Sequence, residues 1–499
     1  MPSPRVLMIS SEVDPFARTG GLGDAVAGLS SALAVAGADV VVVTPRYGVT
    51  RIPTEASMAS TWWPGTVAAR VGWGAEDVRQ LGVLEVRHAV AGPGALRTCL
   101  VDHPDLFGRD GIYGDAHGTF GDNALRFVVL SLAALEVAAR VWGDPGAGSR
   151  GPDIIHAHDW HAAPAILTAR LTASEAWRRV RTVLTIHNLA FQGVLGPDAL
   201  DVLALPRAAF ADGTLRHDGQ VSLLAGAIAL ADQVTTVSPT YAREIQTSTG
   251  GFGLDGLLRA RAGRLVGILN GIDTALFDPA HDGAIQATYS AASFAREKRA
   301  NRGALAREMG LADDDSPMFC SVSRLTSQKG IDLLLDIVPA LVHRGARVVL
   351  VGAGDGHLEL ALRTIAERHP GRVASRIAFD GALARRIYAG ADFFVIPSRF
   401  EPCGLTQLYA MRYGALPIVS PVGGLLDTVT RIDAVRDLGT GFVASAVDPY
   451  ALLVSCEDAF TLFADRVGHA AAVHRAMARE SSWAAPARQY VALYERLLA

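Results

Sequence analysis

At 499 residues the chain is too long for a single hydrophobic core, and two large domains are expected. Half of it is hydrophobic and 19% charged, the balance of a soluble globular enzyme and not of a disordered or collagen-like chain. A formal net charge of -4 argues against nucleic acid or an anionic membrane surface as partner, and apolar runs as short as residues 40–43 cannot span a bilayer.

The opening MPSPRVLMISSEVD has the form of neither a signal peptide nor a transit peptide. A strand is expected over residues 5–10, then a Gly-rich turn and a helix over 25–36. Further strands are expected over 39–44, 153–157, 183–186 and 231–237. The pattern restarts after Arg264, with strands over 318–322, 346–351, 377–379, 392–396 and 416–419. Short apolar runs alternating with Ala-rich helices predict an α/β chain with two doubly wound parallel sheets. Such sheets bind ligands beyond the carboxyl ends of their strands. Two Rossmann-like domains facing across a cleft are therefore expected, 1–264 and 265–480, with a hinge near 262–268. Residues 481–499 read as an amphipathic helix after a Ser cap. Cys99, Cys320, Cys403 and Cys456 form no C-x-x-C pair, so neither a disulfide framework nor a zinc knuckle is expected, and a reducing cytoplasm is the expected location.

Five motifs bear on chemistry. Glu401 follows an apolar strand and precedes a Pro-Cys-Gly-Leu-Thr turn and a helix. The amides of Gly404, Leu405 and Thr406 then favour an anion, and a carboxylate beside a phosphate cradle suits a sugar joined to a diphosphate. Arg18 to Asp24, RTGGLGD, puts Gly20 and Gly21 where backbone can approach a ligand closely, or where a tight turn serves packing alone. Arg324 and Lys329, in SRLTSQKG, stand at a strand exit and helix start. With no Asp-x-Asp signature near a strand exit, these two cations can do a metal's work on a diphosphate, or form a solvated basic turn. Only Lys298 and Lys329 among 46 basic residues are lysines, so Lys329 is expected to need a compact ammonium. His156 and His158 share one face of a strand as metal ligands would, although H-x-H-D-x-H misplaces the Asp of the lactamase-type metallohydrolases. The glycines at 352, 354 and 356 lack the G-x-G-x-x-G spacing and read as a turn that brings backbone near a nucleoside.

The segments SRFEPCGLTQLYAMRYG, TGGL, HAHDWHA, TIHNLAFQG and SRLTSQKG resemble those of bacterial glycogen synthases and plant starch synthases. These are retaining glucosyltransferases of the GT-B type, and the likeness runs over nearly the whole chain. It implies that His161 lies under the glucosyl ring, and that Arg324 and Lys329 hold the leaving diphosphate. Glu401 would bind sugar hydroxyls and stabilise positive charge at the ring. Arg18, in place of the family's lysine, Gly20, Gly21 and Asp24 would meet the donor. So would Asn270, Cys403, Gly404, Leu405 and Thr406. Phe379 aligns with an aromatic platform for adenine, with a place in the core as its alternative. Asp122, Asn123 and Arg126 match a helix near the active site, and His187 matches a family segment or is a satisfied core histidine. Tyr409 stands where related two-carboxylate transferases carry a second Glu, and Val422 where the family usually has Thr. The last helix would pack back on the first domain.

The resemblance implies transfer of glucose from ADP-glucose, with UDP-glucose as the other donor, to the non-reducing 4-hydroxyl of glycogen or a maltooligosaccharide. Retention, no metal and no cofactor are expected. The rivals are a sugar-nucleotide epimerase on the same scaffold, a silent nucleotide- or glucan-binding homologue, and a metallohydrolase.

Overall fold

Continuous Val, Ile and Leu runs become strands buried on both faces, which is what a parallel sheet covered by helices requires. The computed structural model describes residues 3–53, 58–72, 78–433 and 435–499. The chain divides into one unit of Met1–Gly271 with Trp483–Ala499, and a second of Ile272–Ser482.

The first unit carries a ten-stranded sheet. Its strands are β1 (Arg5–Ile9), β2 (Asp39–Pro45), β3 (Met58–Trp62), β4 (Val67–Arg70), β5 (Val78–His88), β6 (Ala95–Asp102), β7 (Ile154–His158), β8 (Arg181–Ile186), β9 (Gln233–Thr236) and β10 (Leu265–Gly267). The order is β10-β9-β8-β7-β1-β2-β6-β5-β3, with β4 beside β5. Pairings from β10 to β6 are parallel, and those of β3 to β6 with β5 are antiparallel. β1 lies between β2 and β7, so winding reverses there and the exits of β1 and β7 stand side by side.

Helix α1 (Gly21–Val35) starts four residues earlier than predicted, with extended Gly20 as its cap. Helix α2 (Asn123–Trp142) and helix α3 (Asp159–Leu171) cover the sheet. β10 belongs to this sheet, although the sequence pattern started a new domain there; three half-buried edge residues carry no apolar run to mark them.

In the second unit, β11 (Met318–Val322), β12 (Arg347–Gly352), β13 (Val373–Ile377), β14 (Phe393–Ile396), β15 (Leu416–Val419) and β16 (Phe442–Val443) form an all-parallel sheet of order β13-β12-β11-β14-β15-β16. Its winding reverses between β11 and β14. β13 lies upstream of the predicted 377–379, because partly exposed Ser375 and exposed Arg376 interrupt the apolar run of this edge strand. Phe379 falls beyond it and is 72% exposed, so it is not a core residue.

Helices α4 (Phe294–Met309), α5 (Ile331–His343), α6 (Gly381–Gly390) and α7 (Thr406–Arg412) belong to this unit. Lys298, on α4, is buried, and its ammonium donates to the carbonyls of Tyr388 (3.2 Å), Ala389 (3.2 Å) and Tyr413 (3.0 Å). These lie at the carboxyl ends of α6 and α7, where the helix dipole favours a cation. Burial lowers Lys298 to about 7.

Helix α8 (Ala484–Leu498) rejoins the first unit, packed on α1; Trp483 stands at its cap position, not a serine. The Trp483 indole lies over Gly28, where any side chain would overlap it. Tyr490, Leu493 and Tyr494 share a core with Val6, Met8, Val26 and Leu33. No helix among the described residues is long and apolar enough to cross a membrane.

Candidate active site

In the second unit the exits of β11 and β14 bring together residues 72 apart in sequence. Lys329 Nζ lies 2.6 Å from Glu401 Oε2, and Ser398 Oγ donates to the same oxygen at 2.9 Å. Both partners are largely buried. Gly330, at φ +62, fits against the Pro397 carbonyl where a side chain would strike backbone, which pins the Lys329 turn to the Glu401 loop. On the other side Gly424 closes on the Cys403 backbone, and its N–H donates to the Glu401 carbonyl at 3.0 Å. Gln407, fully buried, donates to the carbonyls of Cys403 (3.1 Å) and Gly404 (2.9 Å). Those bonds hold Gly404 at φ +71, a conformation that suits glycine.

The partly buried Arg324 guanidinium makes no hydrogen bond or ion pair among the described residues. Thr406 is the first residue of α7, so Gly404 and Leu405 precede the helix. Tyr409 is buried with its ring stacked on Phe277 at 3.9 Å, a packing role. Val422 caps the helix Gly423–Thr428 without a side-chain hydrogen bond.

Lys329→Arg is expected to lower kcat/KM for the donor by ~10-fold with little change in Tm. A guanidinium adds bulk and a fixed fork where a point charge now reaches one carboxylate oxygen in a pinned turn. Donor kinetics check this, and a variant matching the parent would overturn it.

In the first unit Arg18 is engaged with Asp24 (2.8 Å) and Asp14 (3.6 Å), so two of the predicted donor residues hold each other. Gly20 and Gly21 sit at the start of α1, and nothing lies within 4 Å of a side chain built on Gly20. At the β7 exit, Asp159 opens α3 with φ +57. Its carboxylate accepts the N–H groups of His187 (2.7 Å) and Asn188 (3.4 Å), tying the exits of β7 and β8, and burial raises it to about 7.

His161 is buried against Phe127 (ring centroids 4.7 Å), Tyr113 (5.0 Å) and Trp160 (4.3 Å). Burial lowers it to about 3, so its imidazole is neutral at working pH, and Nδ1 has no partner among the described residues. Its carbonyl accepts a long hydrogen bond from Ser131 Oγ at 3.4 Å.

Of the neighbouring histidines, His156 has both ring nitrogens bonded, whereas His158 Nε2 is buried with no partner among the described residues. His156 bonds Tyr494 (2.7 Å) and Thr185 (2.6 Å) through its two nitrogens, and His158 Nδ1 bonds His187 Nε2 at 2.9 Å. Among the described residues no group of three or more His, Cys, Asp or Glu is arranged to hold a metal ion.

Asp122 forms a two-pronged pair with Arg109 (2.7 and 2.6 Å). Asn123 donates to the Tyr113 carbonyl at 2.8 Å and accepts from the buried Arg126, which also holds the carbonyls of Leu106 (2.6 Å) and Ile112 (2.8 Å). These bonds fasten the segment before α2 and so place Tyr113. Asn270 is partly buried in the loop after β10. Two site neighbours, Tyr113 and Glu12, carried no motif. Glu12 adjoins the Gly-rich loop that was expected to meet ligand, whereas nothing in the sequence around Tyr113 marks it.

A model of the starch synthase catalytic domain matches residues 5–260, and one of group 1 glycosyl transferases matches 316–460. The glycogen synthase of Anaeromyxobacter dehalogenans is 43% identical over 507 residues, covering 99% of both chains. That of Granulibacter bethesdensis is 42% identical over 499 residues with the same coverage. The catalytic domain of starch synthase IV from Arabidopsis thaliana, solved with ADP and acarbose bound, superposes with a TM-score of 0.88 at 31% identity over 99% of each chain. The chain belongs to the glycogen synthase and starch synthase family of glycosyltransferases, and is a glucosyltransferase.

Proposed function

We propose that the chain transfers glucose from ADP-glucose to the non-reducing 4-hydroxyl of an α-1,4-glucan, with retention at the anomeric carbon, without a metal ion, in the cytoplasm. The observation that carries this reading is the Lys329–Glu401 pair at the carboxyl edge of a parallel sheet, with the Arg324 guanidinium on the same loop and without a partner among the described residues. The starch synthase solved with ADP and acarbose supports an adenine nucleotide and a glucan-like ligand.

In this reading Arg324 and Lys329 neutralise the leaving diphosphate, with the Gly404 to Thr406 amides and the Arg18 loop as further donors. Phe379 offers an exposed ring to the adenine. Asn270 and Glu401 hold sugar hydroxyls, and Glu401 balances the positive charge that grows as the C1–phosphate oxygen bond breaks. The acceptor oxygen attacks C1 from the same face, and its proton passes to the departing diphosphate. No carboxylate beyond Glu401 stands in that segment, since Tyr409 fills the other position as core. His161, neutral, meets the sugar through its carbonyl and imidazole.

Labelled ADP-glucose and UDP-glucose, each with and without glycogen and with EDTA, test the reading. Label is expected in glucan from ADP-glucose, unaffected by EDTA. Donor turnover without glycogen would point to an epimerase, and donor binding without turnover to a silent homologue. Complete loss in EDTA restored by a divalent ion would overturn metal independence.

A further inference from the structure

We infer, on the strength of the glucosyl-transfer reading, that Glu12 is a positioning residue for the reaction. One buried carboxylate sets both the Gly-rich loop and, through Tyr113, the imidazole of His161. Glu12 lies three residues beyond β1 and is 3% exposed. Its Oε2 accepts the N–H of Thr19 (2.6 Å) and of Gly20 (3.3 Å). Its Oε1 accepts the hydroxyls of Thr19 (2.8 Å) and Tyr113 (2.7 Å). Four neutral donors thus solvate a buried carboxylate that no Lys or Arg pairs among the described residues.

The donors come from two segments about a hundred residues apart, and each leads to a group with a proposed part in the chemistry. Gly20 opens α1, and its N–H points at Glu12. The donors left for a phosphate are therefore those of Gly21 and the rest of the first turn. Tyr113 lies with its ring 5.0 Å from that of His161. Burial, and then the Glu12 charge, push the Tyr113 phenol well above its ordinary value, so it remains a donor to Glu12. Ser11 Oγ, 2.8 Å away, completes its bonding.

The loop has backbone bonds of its own. Val13 and Ala17 exchange hydrogen bonds at 3.0 and 2.9 Å, and Asp14 N–H reaches the Gly23 carbonyl at 3.2 Å. Losing Glu12 would therefore leave the loop folded while freeing the Thr19–Gly20 amides and Tyr113. Placement, not the presence of the loop, is what Glu12 supplies.

Glu12→Gln and Glu12→Asp separate reach from charge. Gln keeps one oxygen for the two amides, and its NH2 can donate to the two hydroxyls. Asp keeps the charge but is one methylene too short to span both segments. Displacements of about 1 Å at a reacting centre cost on the order of 10²-fold. Glu12→Asp is therefore expected to lose ~10²-fold in kcat, with a raised donor KM and unchanged glucan KM, and Glu12→Gln to lose less than ~10-fold. Kinetics are normalised to folded enzyme by melting curves, and Tyr113→Phe combined with Glu12→Asp is expected to be no worse than Glu12→Asp alone. Asp outperforming Gln, or both matching the parent per folded molecule, would overturn the assignment. Should Glu12→Asp not fold, Tyr113→Phe carries the test, and kcat at the parent's value would overturn it. A parent enzyme that transfers no glucose would sink the activity itself, which a fully active parent with indifferent Glu12 variants would not.

Discussion

Glu401→Gln is expected to lower kcat by ~10²- to 10³-fold while ADP affinity stays within a few-fold of the parent. A group aimed at charge that develops only in the transition state is worth about that much. Gln is isosteric and retains an acceptor for Ser398 Oγ, now 2.9 Å away, so the loop keeps its shape. What disappears is the negative charge that faces the Lys329 ammonium, at 2.6 Å, and that in the proposed reaction balances charge at the sugar ring. Lys329 then loses its counter-ion in a largely buried setting, which lowers Tm, but it gains freedom to meet a phosphate. Steady-state rates with ADP-glucose and glycogen, alongside calorimetric titration of ADP, separate the two effects. A normal kcat with only weaker donor binding would make Glu401 a binding residue and nothing more.

Folding stability of the first unit is expected to fall by about 3 kcal/mol per pH unit between pH 6.5 and 4. Burial lowers His156 and His161 to about 3 and holds His158 well below its ordinary value. All three stay neutral when folded and take protons when unfolded, so their contribution is present above pH 6.5 and is lost as pH falls. Asp159 works the other way. Burial raises it to about 7, so below that pH the folded form holds a proton that the unfolded form lacks down to its own value near 4. Three protons favouring the unfolded chain against one favouring the folded leave a net of two, each worth about 1.4 kcal/mol per pH unit. His187, partly exposed and likewise lowered to about 3 by burial, adds a further proton on the unfolded side, so the net of two is the least the slope can reflect. Urea unfolding from pH 7.5 to 4.5 measures the slope. A flat profile would show that these imidazoles are not held neutral.

The sheets were legible in the sequence because strands buried on both faces leave unbroken apolar runs, as in 40–43 and 393–396. Edge strands leave no such mark, so β13 was misplaced and β10 was not read as a strand at all. Within the site, Arg324, Lys329 and Glu401 stood out by residue type at strand exits. Their pairing did not, because it depends on β11 and β14 being neighbours in space with two strands between them in the chain. Glu12 was invisible for a like reason: its meaning depends on Tyr113, and nothing local couples them. Asp122 and Asn123 look alike in sequence whether they meet substrate or hold a loop, and here both make loop-holding bonds. The scarcity of lysine was informative twice. Lys298 also occupies a place where three carbonyls converge on one small cation.

The return of α8 to the first unit has a consequence for the order of events at the ribosome. Residues 483–499 complete a core begun by residues 1–271, and the 211 residues of 272–482 are translated between them. At about 5 to 20 residues per second that interval lasts roughly 10 to 40 s. Throughout it the Gly28 notch lacks Trp483, and His156 lacks the Tyr494 hydroxyl. The second unit, contiguous in the chain, can close in that time. The half that is made first is therefore finished last, and its uncovered α1 face is where a nascent chain most needs shelter.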